Sequence, residues 1–201
     1  MKTLKFDIFL ININNLNNHL IDVQNDMFAL QSEVILLTET WMNPSQPINW
    51  PGKVLHHASV GNGRGVCAFT PEGTQDSFIN DLAMPNYQIL SLLIKDYQII
   101  LMYLSKECNF HEVLNSLNNT LIPAKKSLVL GDLNFDPNAK KPNPLSTFLK
   151  ELDFVQIVDF PTHRDGGLID HIYTKNATNN VEIRTNFPYY SDHMAFNVTL
   201  K

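Results

Sequence analysis

The sequence predicts an α/β layered fold, with helices outside and β-sheet within. Two observations predict it. Short runs rich in β-branched and aromatic residues recur along the whole chain, and a few segments with helical spacing are dispersed between them rather than gathered at one end. No internal repeat, low-complexity tract or charge run marks a linker. The 201 residues are therefore expected to form a single domain, 1–201, long enough to bury a sizeable core.

The elements follow in order. Leu4 to Ile13 is expected to be a buried strand, and Leu20, Val23, Met27 and Leu30 keep a helical spacing that predicts one helix over Leu16 to Ser32. Val34 to Thr38 is a second buried strand. Lys53 to Ser59 and Gly65 to Thr70 are expected to be strands joined by the turn Gly61-Asn62-Gly63-Arg64. Tyr87 to Lys95 and Gln98 to Leu104 form a hairpin turning at Asp96-Tyr97. A helix over Phe110 to Leu121 precedes a strand from Ser127 to Gly131, and Pro144 to Leu152 opens a third helix with proline in its first turn. Ile169 to Thr174, Val181 to Arg184 and Met194 to Leu200 complete the strands.

Composition narrows the class. A hydrophobic fraction of 44% and a charged fraction of 17% are those of an ordinary soluble globule. The longest apolar run, Tyr87 to Leu104, is broken by Lys95, Asp96 and Gln98, so no membrane span is expected. Met1 to Lys5 is followed early by Asp7 and by no small-residue cleavage site, which argues against a signal peptide. Two cysteines cannot build a disulfide framework, and a reducing, intracellular setting is expected. The net charge of −5 counts against a dedicated nucleic-acid binder, although an enzyme needs only a local basic rim.

Five short stretches carry chemistry. In Gly131-Asp132-Leu133-Asn134, a glycine at a strand end lets the chain turn and present Asp132 and Asn134 at the rim of the sheet. A carboxylate beside an amide suits orienting a water and steadying a phosphate oxygen, although the same residues also make ordinary turns. Tyr190-Ser191-Asp192-His193 leads into the last strand, where a histidine can serve as base or phosphate donor. Asp170, set between apolar neighbours, needs a partner because unpaired buried charge is costly, and a histidine from another loop is a natural one. His171 points to the opposite face of that strand and is expected to be structural. Glu39 ends the second strand and Asn12 the first; each alone reads as a rim residue.

Taken together and in this order, Asn12, Glu39, Tyr103, Asp132 with Asn134, Asp170 and Ser191-Asp192-His193 resemble the endonuclease/exonuclease/phosphatase superfamily over nearly the whole chain. That superfamily includes DNase I-like nucleases, abasic-site endonucleases and the endonuclease domains of non-LTR retrotransposons. Leu37-Thr38-Glu39-Thr40-Trp41, Gly63-Arg64-Gly65-Val66, Pro161-Thr162-His163 and Tyr189-Tyr190-Ser191-Asp192-His193 look most like the transposon-encoded group. Two positions depart from the pattern: Asn15 stands where the first motif has glycine, and Tyr103 is followed by Leu104-Ser105. Gly166 to Ile169 stands in place of the inositol-phosphatase signature, which disfavours that branch.

The resemblance implies a four-layer α/β sandwich, two packed β-sheets flanked by helices in the DNase I-like manner. It implies a Mg2+-dependent endonuclease, with Mn2+ as a substitute, that nicks DNA to leave a 3′-hydroxyl and a 5′-phosphate. A phosphoesterase of the same fold acting on small-molecule, lipid or RNA phosphate esters stays open, as does a non-catalytic nucleic-acid-binding module. The implied roles are catalytic for His193, Asp132, Asn134, Asp170 and Tyr103, and metal-holding for Glu39, Asn12 and Asp192. Substrate contacts are expected from Ser191, Thr162, Lys140, Lys141 and Arg64, with Arg164 and His163 behind them. The expected partners are DNA and a covalently linked reverse transcriptase or other transposon domain. The expected location is intracellular, nuclear when acting on DNA.

Overall fold

Alternation along single strands sets the architecture. In β1 (Phe6–Asn12), Phe6, Ile8 and Leu10 face one core while Phe9 and Ile11 face another. In β7 (Tyr97–Leu104), Ile99, Leu101 and Tyr103 join the first of these cores, while Ile100, Met102 and Leu104 face a third. A strand that is apolar on both faces must be covered on both, which requires layers. The computed structural model describes residues 5–42, 47–60, 64–73 and 77–201.

Two six-stranded sheets result. The first is built from β1, β2 (Val34–Thr38), β3 (Lys53–Ser59), β4 (Gly65–Pro71), β11 (Val181–Asn186) and β12 (Ala195–Leu200), in the order β11-β12-β1-β2-β4-β3. The second contains β5 (Ser77–Met84), β6 (Tyr87–Ile94), β7, β8 (Lys126–Asp132), β9 (Val155–Gln156) and β10 (Asp170–Lys175), in the order β5-β6-β7-β8-β10-β9. The sheets share the middle core. Helices α1 (Leu16–Gln24) and α2 (Met27–Gln31) cover the outer face of the first sheet, and α3 (Phe110–Thr120) and α4 (Pro144–Glu151) cover that of the second. This is the expected four-layer sandwich. Each fully buried Leu, Ile or Phe in these layers contributes about 1.5–3 kcal/mol.

Each sheet has a parallel pair at its centre, β1 with β2 and β7 with β8, and antiparallel pairings elsewhere. Parallel neighbours need a crossover, supplied by α1 and α2 in one sheet and by α3 in the other. The C-terminal ends of β1, β2, β7 and β8 thereby emerge on one edge, where β4, β10 and β12 begin.

Two expectations change, and one lies beyond the described residues. The helix expected over Leu16 to Ser32 is two helices, because the Asp26 carboxylate accepts from the Phe28 and Ala29 N–H groups and caps a second start. Strands β5 and β9 are additional. β5 carries Asn80 and Asp81 and owes its strand to pairing with β6, an example of tertiary context overriding weak propensity. The turn expected at Gly61 to Arg64 lies, for residues 61–63, outside the described residues, although β3 and β4 do pair up to Ser59 opposite Gly65.

Candidate active site

The second sheet lays out half of the site as one row. Tyr103 pairs with Asp132 across β7 and β8, and Asp132 pairs with Asp170 across β8 and β10. Gly131 makes the approach possible. Its φ is +134°, and a Cβ there would lie 2.0 Å from the Met102 carbonyl oxygen, so no other residue fits. Asn134 takes φ +53°, a left-handed turn rather than continued strand, and this brings its amide back onto Asp132. The Asn134 side-chain nitrogen donates to Asp132 Oδ2 at 3.2 Å and to the Leu104 carbonyl at 2.9 Å, and its backbone N–H donates to Asp132 Oδ1 at 3.1 Å.

The first sheet supplies the rest. Asn12, the last residue of β1, donates from Nδ2 to Asp132 Oδ2 at 2.8 Å, while its Oδ1 accepts from the Asn14 N–H at 3.1 Å. Asn15 adopts φ +94° where the family pattern has glycine, and its N–H bonds the Glu39 carbonyl at 2.9 Å. The departure is thus accommodated by asparagine's tolerance of positive φ, and it ties Glu39, itself at φ +51°, beside the end of β1.

Asp170 is buried, and both its oxygens face His193 Nδ1, at 2.9 and 3.1 Å. Burial alone would pull the imidazole down. The hydrogen bond and charge of Asp170 outweigh it, with Asp132 and Asp192 adding to the effect, and His193 rises to about 9. Burial, then the charge of Asp170, pushes the Asp132 carboxyl up to about 8, with Glu39 adding to the rise while His193 and the Asn12 hydrogen bond oppose it. Tyr103 is held well above its ordinary value by burial first and by Glu39 second. The Arg64 guanidinium donates to the Tyr103 hydroxyl at 2.6 Å and lies 3.7 Å from Glu39 Oε1.

Of the expected site residues, Asn12, Asp132, Asn134, Asp170 and His193 meet directly, and Tyr103, Glu39 and Arg64 form an adjoining cluster. Others are placed differently. Thr162 is wholly buried and its hydroxyl accepts from the Ile169 and Asp170 N–H groups, so it steadies Asp170. Ser191 is also buried; it donates to the Asn12 carbonyl at 2.7 Å and accepts from the His193 N–H at 3.0 Å, bracing the end of β1 against His193. Asp192 turns its half-exposed carboxylate to His163 Nε2 at 3.3 Å. Arg164 is committed to the carbonyls of Pro188 and Ser191 at 2.9 and 3.3 Å. Lys140 and Lys141 stand exposed in the loop after β8. His171 is structural as expected: it is wholly buried between Phe135 and Gln156, and burial lowers it to about 4. His163, packed edge-on against the His193 ring at 4.8 Å, belongs to the site more closely than sequence alone indicates; only the Pro161-Thr162-His163 stretch hints at it.

A profile of the Endonuclease/Exonuclease/phosphatase family matches residues 10–193. The chain belongs to this family. No curated protein sequence matches it significantly. Among solved structures, the endonuclease domain of TRAS1, a telomere-specific non-LTR retrotransposon, superposes with a TM-score of 0.75 at 14% identity, covering 98% of this chain and 99% of that one. An AP endonuclease from Archaeoglobus fulgidus gives 0.76 at 14% identity over 98% and 99%. The 3′ phosphatase NExo from Neisseria, bound to a product DNA hairpin, gives 0.73 at 16% identity over 98% and 99%. At these identities the likeness establishes the shared fold, while the family itself is one of hydrolytic nucleases and phosphatases.

The residues of this family member fit a divalent cation. Among the described residues two groups present ligand atoms within 4.8 Å of one another, Asp132–Asp170–His193 and His163–Asp192–His193; the second contains Asp192, one of the expected metal holders, while Glu39 lies within electrostatic reach of Asp132. Burial is the largest cause of the raised Asp132 carboxyl, and the charges of Asp170 and Glu39 add a part that a cation would offset. Carboxylate and amide oxygens are the donors a hard ion such as magnesium takes.

Proposed function

We propose that the protein is a metal-dependent endonuclease that hydrolyses phosphodiester bonds in DNA, leaving a 3′-hydroxyl and a 5′-phosphate, of the kind encoded by non-LTR retrotransposons. The observation that carries this reading is the pairing of one buried carboxylate, Asp132, with one buried Asp170–His193 couple on the same row of strand ends. Asp132 would act as general base and accept the proton of the attacking water. Asn12 and Asn134 fix the direction of its oxygens. His193, raised to about 9 and oriented by Asp170, would present a charged N–H to a phosphate oxygen as negative charge develops there. Tyr103 and Arg64 would add donors from the facing side. Glu39, with Asn12 and Asp192, would hold magnesium or manganese, which when bound supplies Lewis-acid stabilisation of the phosphoryl group. Lys140 and Lys141 would contact flanking phosphates, and a linked reverse transcriptase would extend the 3′-hydroxyl, in the nucleus when the target is chromosomal.

The net charge of −5 favours a second reading with the same chemistry, on small-molecule, lipid or RNA phosphate esters. Nicking of supercoiled plasmid, with magnesium, with EDTA and with Asp132→Ala, tests the proposal. Metal-dependent nicking lost in the variant supports it. Release of phosphate from soluble esters without any nicking would transfer the assignment to the second reading.

A further inference from the structure

Arg64 is a cation placed beside Glu39, one of the groups to which a metal is assigned above. Its Nε lies 3.7 Å from Glu39 Oε1, its Nη1 donates to the Tyr103 hydroxyl at 2.6 Å, and its guanidinium carbon sits 5.6 Å from the Trp41 ring centre and 5.8 Å from that of Tyr103. The contacts differ in strength. The ion pair is long and the Arg64 side chain is 46% exposed, so the pair is weak and easily exchanged. The two aromatic rings instead hold the planar group close whether or not the pair is made.

We propose that Arg64 is a tethered counter-ion that competes with the divalent cation for Glu39: loading the metal breaks the Glu39–Arg64 pair and frees the guanidinium for the substrate phosphate. This rests on the reading of Glu39 as a metal-holding residue. The physical reason is charge balance. The same carboxylate cannot serve a guanidinium and a divalent ion equally, and two cations sharing it repel each other. The released guanidinium keeps its ring contacts and is short of an anion, and a phosphodiester oxygen supplies one.

Manganese binding to the purified protein, measured by titration calorimetry, tests the competition directly. Arg64→Ala should bind Mn2+ roughly two- to fivefold more tightly than wild type, the change expected from removing one weak competing pair. Glu39→Ala should weaken binding at least about tenfold. If Glu39→Ala weakens binding but Arg64→Ala does not tighten it, the counter-ion proposal is overturned and the metal reading survives. If Glu39→Ala binds like wild type, or wild type binds no Mn2+, the metal reading fails and the proposal falls with it. A second measurement uses duplex DNA affinity by anisotropy in a His193→Ala background. Loss of Arg64 should weaken binding with Mn2+ present and leave it unchanged in EDTA. An equal loss in both conditions overturns the release step.

Discussion

Asn12 Nδ2 donates to Asp132 Oδ2 at 2.8 Å, joining the end of β1 in one sheet to the end of β8 in the other across 120 positions of sequence. The bond is buried, and it opposes the forces that raise Asp132. Asn12→Ala should therefore leave the carboxylate turned away from its productive direction and more reluctant to ionise. The expected result is a loss of ~10² in nicking rate and about 1–3 kcal/mol in stability, read by plasmid assay and urea unfolding. A variant with wild-type rate would remove Asn12 from the site's machinery.

The metal-free protein should lose stability as pH rises. Asp132 is shifted from 3.8 to about 8, so the folded state holds its proton more tightly than the unfolded chain, and that contribution is full below about 4 and fades up to about 8. His193 is shifted from 6.5 to about 9, so its contribution is full below 6.5 and is lost as pH rises through 9. Both act in the same direction. The urea midpoint in EDTA should fall from pH 5 to pH 9, and magnesium should restore most of it at the alkaline end. A midpoint that does not change with pH would show that neither group is perturbed in this way.

Gly131→Ala should be among the most damaging small changes in the chain. A methyl group there would lie 2.0 Å from the Met102 carbonyl oxygen at a φ of +134°, so β7 and β8 would have to separate at the row carrying Tyr103 and Asp132. A loss of at least ~2 kcal/mol is expected from a backbone clash of this kind, measured by thermal unfolding.

Arg164→Ala should lower kcat more than it changes KM. The Arg164 guanidinium holds the Pro188 and Ser191 carbonyls and lies 5.3 Å from the Phe187 ring centre, so it fixes the loop that presents His193. Faster hydrogen exchange at residues 187–193 would accompany the loss. If KM for DNA rises instead with kcat unchanged, Arg164 is a phosphate contact after all.

Much of this was legible in the sequence because strand and site signals are local. Val34 to Thr38 and Gln98 to Leu104 are short apolar runs rich in β-branched residues or bounded by turn signals, which read as buried strands, and Gly131-Asp132-Leu133-Asn134 announces a strand end with a polar turn; the second strand in fact begins one residue earlier, at Tyr97. The break at Asp26 was missed because a capping carboxylate inside a helical period differs from a surface residue only in where its side chain bonds. Strand β5 was missed because its pairing with β6, not its composition, makes it a strand. The bonds of Thr162, Ser191 and Arg164 to main-chain groups elsewhere in the chain are not legible because nothing local in the sequence marks those partners.

The pairing of β1 with β12 sets Phe6 opposite Leu200, while Leu10 opposite Phe196 lies toward the catalytic edge. The first and last described strands therefore run side by side, with their outer ends at the pole of the sandwich away from the chemistry. A further domain joined at that pole would sit out of the path of a duplex arriving at the catalytic edge.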